Sequence, residues 1–418
     1  MNILILSPEM PYPPTSGGRL RVFKVLKELS ASNNVYLIAY YSDDNDPQYE
    51  QSLRRYCKDV RLIPLPMRSF PNPRGNNEKF YDQVWLNKMR WYFSQAPIVN
   101  QYFFSEKFQE SIDFFIEHYP IDIIQLEHCF IDQYDYKIAH DKRIKKVLVQ
   151  QNVEHEVYLQ RLNYIGRNMT VLWKIKAHLD YKKFMEFERS TVSNQDLCVT
   201  VSDDDKDKLL AFISDPAPKT IVVPNGVDVD YLRPPGAKRD EHTLVFTGHM
   251  GWFPNEDGIL WFFQEIFPKV SAVYPEIRVY VAGREPSDQI KAITKMDSRF
   301  VVTGYVDDIR DFLYKGTVFV CPLRMGGGTR LKILEAMASG LPVVSTSLGS
   351  QGLEAIPGEH IGIADTADDF AKKVLLLLAN HKLREQISIK ARQLVEEKYC
   401  WKRIVHVYER ELKNLLRG

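Results

Sequence analysis

The chain has 418 residues and a mass of 48.7 kDa, more than one hydrophobic core usually serves, so two domains are expected. Its 44% hydrophobic and 26% charged residues exclude a disordered or collagen-like chain, and 55 basic against 54 acidic side chains exclude recruitment by a global field to nucleic acid or an anionic membrane. The five cysteines, at 57, 129, 198, 321 and 400, are odd in number and widely spaced, which argues against a disulfide framework or a zinc cluster and points to a reducing cytosol. Residues 1–8 lack a basic n-region and read as a buried strand rather than a signal peptide. No apolar run approaches the ~18 residues that span a bilayer.

In chain order, the first predicted element is a strand over 3–6, followed by a loop ending in Gly17-Gly18 and a helix with Leu20, Phe23, Val25, Leu26 and Leu29 on one face. Strands over 35–39 and 60–65 flank a helical stretch at 47–56, and further strands read at 121–126, 146–150, 197–201 and 220–223. These short, continuous apolar runs alternate with helices, the pattern of a parallel sheet buried on both faces. A second series of strands follows at 244–247, 278–282, 300–303, 318–322, 342–345 and 361–364, with helices near 256–273, 309–315, 330–339 and 367–380. The Pro/Gly-rich stretch 231–240 lies between the two series, where a linker belongs. Two helical patterns, 383–398 and 401–416, close the chain and are free to pack back across the interface. One segment departs from this plan: between 67 and 100, Trp85, Trp91, Tyr81, Tyr92, Phe80 and Phe93 alternate with Arg68, Arg74, Lys79, Lys88 and Arg90. It reads either as a helical insertion or as a surface for the membrane interface.

The stretch 318–346 reads as buried strand, glycine loop Gly326-Gly327-Gly328, a Thr329 N-cap, helix, Gly340 C-cap and next strand. A helix entered from a glycine loop offers free N–H groups and partial positive charge to phosphate. Arg330 and Lys332 sit in its first turn, where cations oppose the helix dipole. An anionic ligand reverses that sign, so these two side chains are the candidate catalytic cations. The alternative is a tight turn with a Lys332–Glu335 surface pair. Gly17-Gly18 with Arg19 and Arg21 repeats the arrangement near the N-terminus. Neither loop spells a dinucleotide or P-loop fingerprint.

The stretch 326–346 resembles the C-terminal signature of the GT-B-type retaining glycosyltransferases of family 4, the group 1 transferases, with supporting matches at 11–18, 199–203, 223–228, 279–283 and 303–306. The pattern at 246–258 is similar to a subgroup associated with bacterial exopolysaccharide assembly. The resemblance implies an α/β GT-B fold: two Rossmann-like domains with parallel sheets facing a cleft, residues 1–225 for the acceptor and 241–395 for the nucleotide sugar. Residues 226–240 would be the linker, and 396–418 would return toward the N-terminal domain. It further implies retaining hexosyl transfer from a UDP- or GDP-sugar to a glycan or lipid-linked acceptor, with no metal or other cofactor, in the cytoplasm or peripherally at its membrane. Donor-binding positions carried over are Gly17, Gly18, Gly248, Gly304, Tyr305, Val306, Gly326, Gly327, Gly328, Thr329, Leu331 and Glu335, with Glu335 at the ribose and the base near 304–306.

The chain departs from the family pattern twice. Many members have two glutamates eight positions apart; Glu335 matches the second, but Gly327 holds the first place. Many also offer an Arg and a Lys from the Gly248 loop to the diphosphate, where this chain has His249 and Asn255. Arg330 and Lys332 are the cations left to neutralise it. On the N-terminal side, Asn152, Glu154 and His155 follow the strand at 146–150 and are candidates for the acceptor, as are Glu127 and His128 after 121–126. Two rival functions fit the same architecture: a sugar-nucleotide epimerase, and a non-catalytic nucleotide-sugar-binding protein, for which Gly327 is the best support.

Overall fold

The computed structural model describes residues 1–42, 46–66, 96–136, 144–166, 170–213, 217–236 and 239–417. The chain divides into two compact units, one from Met1 to Val223 together with the residues from Val405 on, the other Pro224–Ile404. Each has its own apolar core.

The N-terminal unit is built on β1 (Asn2–Ser7), β2 (Asn34–Tyr41), β3 (Asp59–Pro64), β4 (Ile123–Glu127), β5 (Lys145–Val149), β6 (Leu197–Thr200) and β7 (Thr220–Val222), in the order β3-β2-β1-β4-β5-β6-β7. All neighbours are parallel, with Ile5 opposite Leu37 on one side and Gln125 on the other. Ile3, Leu4, Ile5 and Leu6 are fully buried, as an apolar strand covered on both faces must be.

The C-terminal unit carries β8 (Thr243–Thr247), β9 (Arg278–Ala282), β10 (Phe300–Gly304), β11 (Val318–Cys321), β12 (Val343–Ser345) and β13 (Gly362–Ile363), again all parallel, in the order β10-β9-β8-β11-β12-β13. In both sheets the winding reverses between the first strand and its later neighbour, at β1/β4 and at β8/β11. In doubly wound sheets the crevice for a ligand opens at the carboxyl ends of that pair.

Two elements differ from expectation. The helix expected over 256–273 is an α-helix Phe253–Trp261, a π-helical turn Phe262–Ile266 and an α-helix Phe267–Ser271. Pro268 has no N–H to donate, and the ladder widens one turn before it, the Phe267 N–H reaching back to the Phe262 carbonyl. The described residues of 226–240, expected as a linker, are tied into the C-terminal unit. Val227 and Leu232 are buried in its core, and Arg392 donates to the carbonyls of Val229 and Leu232. Helix Trp401–Arg417 belongs to both units: Trp401 lies where a side chain at Gly226 would clash, while Tyr408 and Leu412 are buried in the N-terminal unit. The basic aromatic stretch 68–93 lies outside the described residues.

Candidate active site

The carboxyl ends of β8, β9 and β10 are joined backbone to backbone. The Gly248 N–H donates to the Ala282 carbonyl at 3.0 Å and the Gly283 N–H to the Gly304 carbonyl at 3.1 Å. A Cβ on Gly283 would fall 1.7 Å from the Gly248 oxygen, so only glycine permits this approach. On its other side Gly248, with φ +155°, faces an amine: a Cβ there would lie 2.6 Å from Lys332 Nζ.

Lys332 is in the first turn of helix Leu331–Ala338, which follows β11. Its Nζ donates to Asn255 Oδ1 at 2.7 Å and stands 4.1 Å above the Phe246 ring. Asn255 in turn donates from Nδ2 to the His249 carbonyl at 2.7 Å. Burial pushes the amine down to about 8; Arg330 pushes the same way, against pulls from Cys321 and Glu335. Lys332 is thus an ammonium close to release, held against a glycine backbone at the β8/β11 reversal. The alternative, a surface ion pair between Lys332 and Glu335, is not formed. The Glu335 carboxylate, pushed up by burial against the pull of Lys332, engages no hydrogen bond among the described residues.

Arg330 is the residue that caps the helix, with φ −84° and ψ 97°, and Thr329, expected in that role, lies one place outside it. The guanidinium folds back along the glycine loop: Nη1 donates to the Gly328 carbonyl at 2.7 Å, and a Cβ on Gly326 would lie 3.3 Å from Nη2. Gly326 and Gly328 take φ of +107° and +68°, which explains two of the three glycines. Gly340 ends the helix at φ +66°, as read. Asn225, from the motif at 223–228, holds the same loop by donating to the Thr329 carbonyl at 3.3 Å. Sequence reasoning saw that motif but not its task. Gly304 ends β10, two strands and about 10 Å from β8, and Tyr305 and Val306 follow it. Tyr305 is exposed.

The N-terminal unit presents a second group at the β1/β4 reversal. Ser16 caps helix Gly17–Leu29, and a Cβ on Gly18 would meet Gln151 Oε1 at 3.5 Å. Arg19 and Arg21 do not repeat the Arg330/Lys332 arrangement. Both are buried, Arg19 pairing with Glu9 at 3.3 Å and Arg21 donating to the Val223 carbonyl at 2.9 Å. His155, a cleft candidate from sequence, serves the interior. Its Nδ1 meets the fully buried Glu188 at 2.8 Å and its ring stacks on Phe212. Glu188 also accepts the backbone N–H groups of Glu154 and His155, capping helix Glu154–Ile165 from a distance.

His128 is better placed. Directly after β4 it adopts φ 71° and ψ 150°, a conformation costing a non-glycine residue about 1 to 3 kcal/mol. Its Nδ1 meets Glu154 Oε1 at 2.9 Å, which Asn152 also reaches at 3.2 Å. Burial lowers its affinity for a proton, but the bond to Glu154 outweighs this and its pKa is raised. Glu127, the last residue of β4, is buried and accepts from Gln125 at 2.7 Å.

Doubly wound units of this kind, with glycine-rich turns at the strand reversals, define the GT-B class. The structure aligns over its whole length with sucrose-phosphate synthase from Thermosynechococcus elongatus (TM-score 0.72, 18% identity, 100% and 99% of the two chains). It aligns likewise with S. aureus TarM in complex with fondaparinux, α-GlcNAc-glycerol and UDP (TM-score 0.68, 13% identity, 100% of both chains). Residues 241–380 match the family described as glycosyl transferases group 1. An uncharacterised 44.6 kDa protein in the cps region of Klebsiella pneumoniae is 25% identical over 96% of this chain and 97% of its own. Residues 241–380 thus resemble the group 1 glycosyltransferases, and the chain has the GT-B fold.

Proposed function

We propose that the protein is a retaining hexosyltransferase that moves a sugar from a UDP- or GDP-sugar to an acceptor hydroxyl in bacterial polysaccharide or glycolipid assembly. The observation that carries this is the Lys332–Asn255 contact. Asn255 stands near the place where many family members have a diphosphate-binding lysine, and the amine of Lys332 arrives at that place from another helix. In this reading a cation from a different place in the chain serves the same diphosphate. Arg330, laid along the glycine loop, supplies the second charge. Breakage of the bond between sugar C1 and phosphate oxygen leaves negative charge on the β-phosphate, and two preorganised cations stabilise it without a metal ion. Glu335 receives the ribose hydroxyls, and the end of β10 the base. The distance from β10 to the β8/β11 reversal suits a nucleotide lying along the strand ends, its diphosphate over Gly248. Attack then comes from the face the diphosphate leaves, guided by its oxygens, and the anomeric configuration is kept.

UDP is the nucleotide bound to TarM, which favours UDP over GDP here, and the cps-region relative favours a polysaccharide product. On the acceptor side His128 with Glu154 and Asn152, rather than His155, receives the hydroxyl. The acceptor is a glycan carried on lipid, and the protein works at the cytoplasmic face of a membrane, touching it peripherally; residues 68–93 contribute to that contact.

A thermal-shift series with UDP-, GDP- and ADP-sugars tests the donor, since a ligand at 100 times its Kd stabilises by about 2.7 kcal/mol. NMR of the product tests the stereochemistry. A shift with UDP-sugar and a retained anomer are expected. An inverted anomer overturns the mechanism, isomerised donor with no acceptor indicates the epimerase, and no shift with any nucleotide sugar overturns the donor site.

A further inference from the structure

Helix Val171–Ser193 carries apolar side chains on its outer face as well as its inner one. Its inner face is conventional: Asp180 and Phe184 are buried, Asp180 accepting from the Ile98 N–H at 2.9 Å and from the Tyr158 hydroxyl. The outer face of its first half is apolar as well. Val171, Leu172, Ile175 and Leu179 are exposed by 74%, 62%, 54% and 42%. Three of them follow one another at i, i+4 and i+8, and Leu172 lies beside them, so they form one stripe rather than scattered contacts. Single exposed apolar residues are ordinary; four side by side on one helix face are not.

The rim of the stripe is cationic. Lys174 stands on one side and Lys176 on the other, both exposed, and exposed Lys182 continues the stripe one turn further on. Between 170 and 185 the one acidic residue is Asp180, and it points inward. A second copy of this chain is a poor occupant, because an isologous contact would bring the two sets of lysines together. An anionic lipid surface satisfies both parts: the aliphatic side chains enter the headgroup and acyl boundary, and the lysines reach the phosphates with their stems along the apolar surface.

We infer that the outward face of residues 171–183 is a docking surface for an anionic lipid bilayer, built from residues other than the basic aromatic stretch 68–93. The inference rests on the membrane-side reading of the acceptor and locates that contact on a helix of the N-terminal unit. No helix among the described residues is long and apolar enough to cross a membrane, so the contact lies in the interface plane.

Flotation of the full chain with vesicles of phosphatidylcholine alone, or with about a third phosphatidylglycerol, tests it, using three variants. Leu172→Ser with Ile175→Ser removes the apolar anchor, Lys174→Glu with Lys176→Glu reverses the rim, and Trp85→Ser with Trp91→Ser alters the other segment. UDP-induced thermal shift on each variant reports that the fold and donor site are intact. The expected result is binding to anionic vesicles only, lowered at least about tenfold by either helix variant, with the UDP shift retained. Flotation retained by both helix variants and lost with the Trp pair overturns this surface while leaving the membrane reading in place. No flotation of the unaltered chain overturns both. A change of oligomeric state in the helix variants on gel filtration, with flotation unchanged, identifies the stripe as a self-association surface and also overturns the inference.

Discussion

Lys332 joins local electrostatics to the proposed chemistry. As a first-turn cation it opposes the helix dipole, and burial holds its amine at about 8 against an ordinary 10.5. Between those values the unfolded chain binds a proton that the folded chain lacks, so ligand-free stability rises with pH across the window, and below pH 8 the full cost is present. Lys332→Met is therefore expected to leave the melting temperature at neutral pH unchanged or to raise it. Turnover should fall roughly ten- to a thousandfold, if the amine contributes about 1.4 to 4 kcal/mol to leaving-group stabilisation. Unaltered turnover would remove the diphosphate role; melting and rate are measured on the same preparation, with Lys315→Met as a control. A bound diphosphate draws the proton back, so UDP affinity should be flat below about pH 8 and weaken above it, by up to about tenfold per pH unit. Calorimetric titration of both proteins over that range checks this, and Lys332→Met should show a flat profile. Both cations were legible in the sequence because they break a local rule of helix electrostatics within four residues of a glycine loop. Asn255 was not legible as the partner of Lys332, since 77 residues separate the two and only the β8/β11 pairing brings them together.

Local pattern identified most elements, because strand and helix are written in short-range periodicity, but what each element's polar residues do depended on distant neighbours. His155 looked available at the end of β5 until Glu188, 33 residues on, claimed it as part of a helix cap. His128, in the strained position, gave no sequence signal stronger than its place after an apolar run. Helix Trp401–Arg417 is the same case at larger scale. Tyr408 donates to Gln125 Oε1 at 2.9 Å, and Glu409 accepts from Ser32 Oγ at 2.7 Å and Asn33 Nδ2 at 2.9 Å while pairing with Lys413 at 2.8 Å. Partial burial alone would raise the Glu409 pKa, but the bonds from Lys413, Ser32 and Asn33 outweigh it and hold the group at about 2. A depressed carboxylate contributes its stability above the ordinary value of 4.5 and loses it as pH falls toward 2. Glu409→Gln should cost about 1 kcal/mol at neutral pH. The gap to the unaltered chain should narrow progressively below about pH 4.5, as urea midpoints would show. A gap independent of pH would mean that Glu409 acts through packing rather than charge.

At the scale of the whole molecule, the two β/α series were evident, but their strand orders were not, since nothing local says that β4 pairs with β1 or β11 with β8. Those two pairings create the reversals, and the reversals gather the candidate site. The residues proposed for the diphosphate and ribose between Gly248 and Glu335 lie within Pro224–Ile404, around its apolar core, whereas Gly17 and Gly18, also carried over as donor-binding positions, lie in the other unit. The N-terminal unit has a separate core, and the backbone passes between the units at Val223/Pro224 and again at Ile404/Val405. A ligand that binds only the folded C-terminal unit stabilises that unit by mass action, by about 2.7 kcal/mol at 100 times its Kd, and reaches the other only as far as the two unfold together. Hydrogen exchange with and without UDP separates these cases. Slowing of up to about a hundredfold is expected for the most protected amides of β8, β9 and β11, with those of β1, β2 and β4 changing much less. Equal slowing in both sheets would mean that the units open as one cooperative body. Protection confined to β1 and β4 would place the nucleotide on the other unit and overturn the assignment of Lys332.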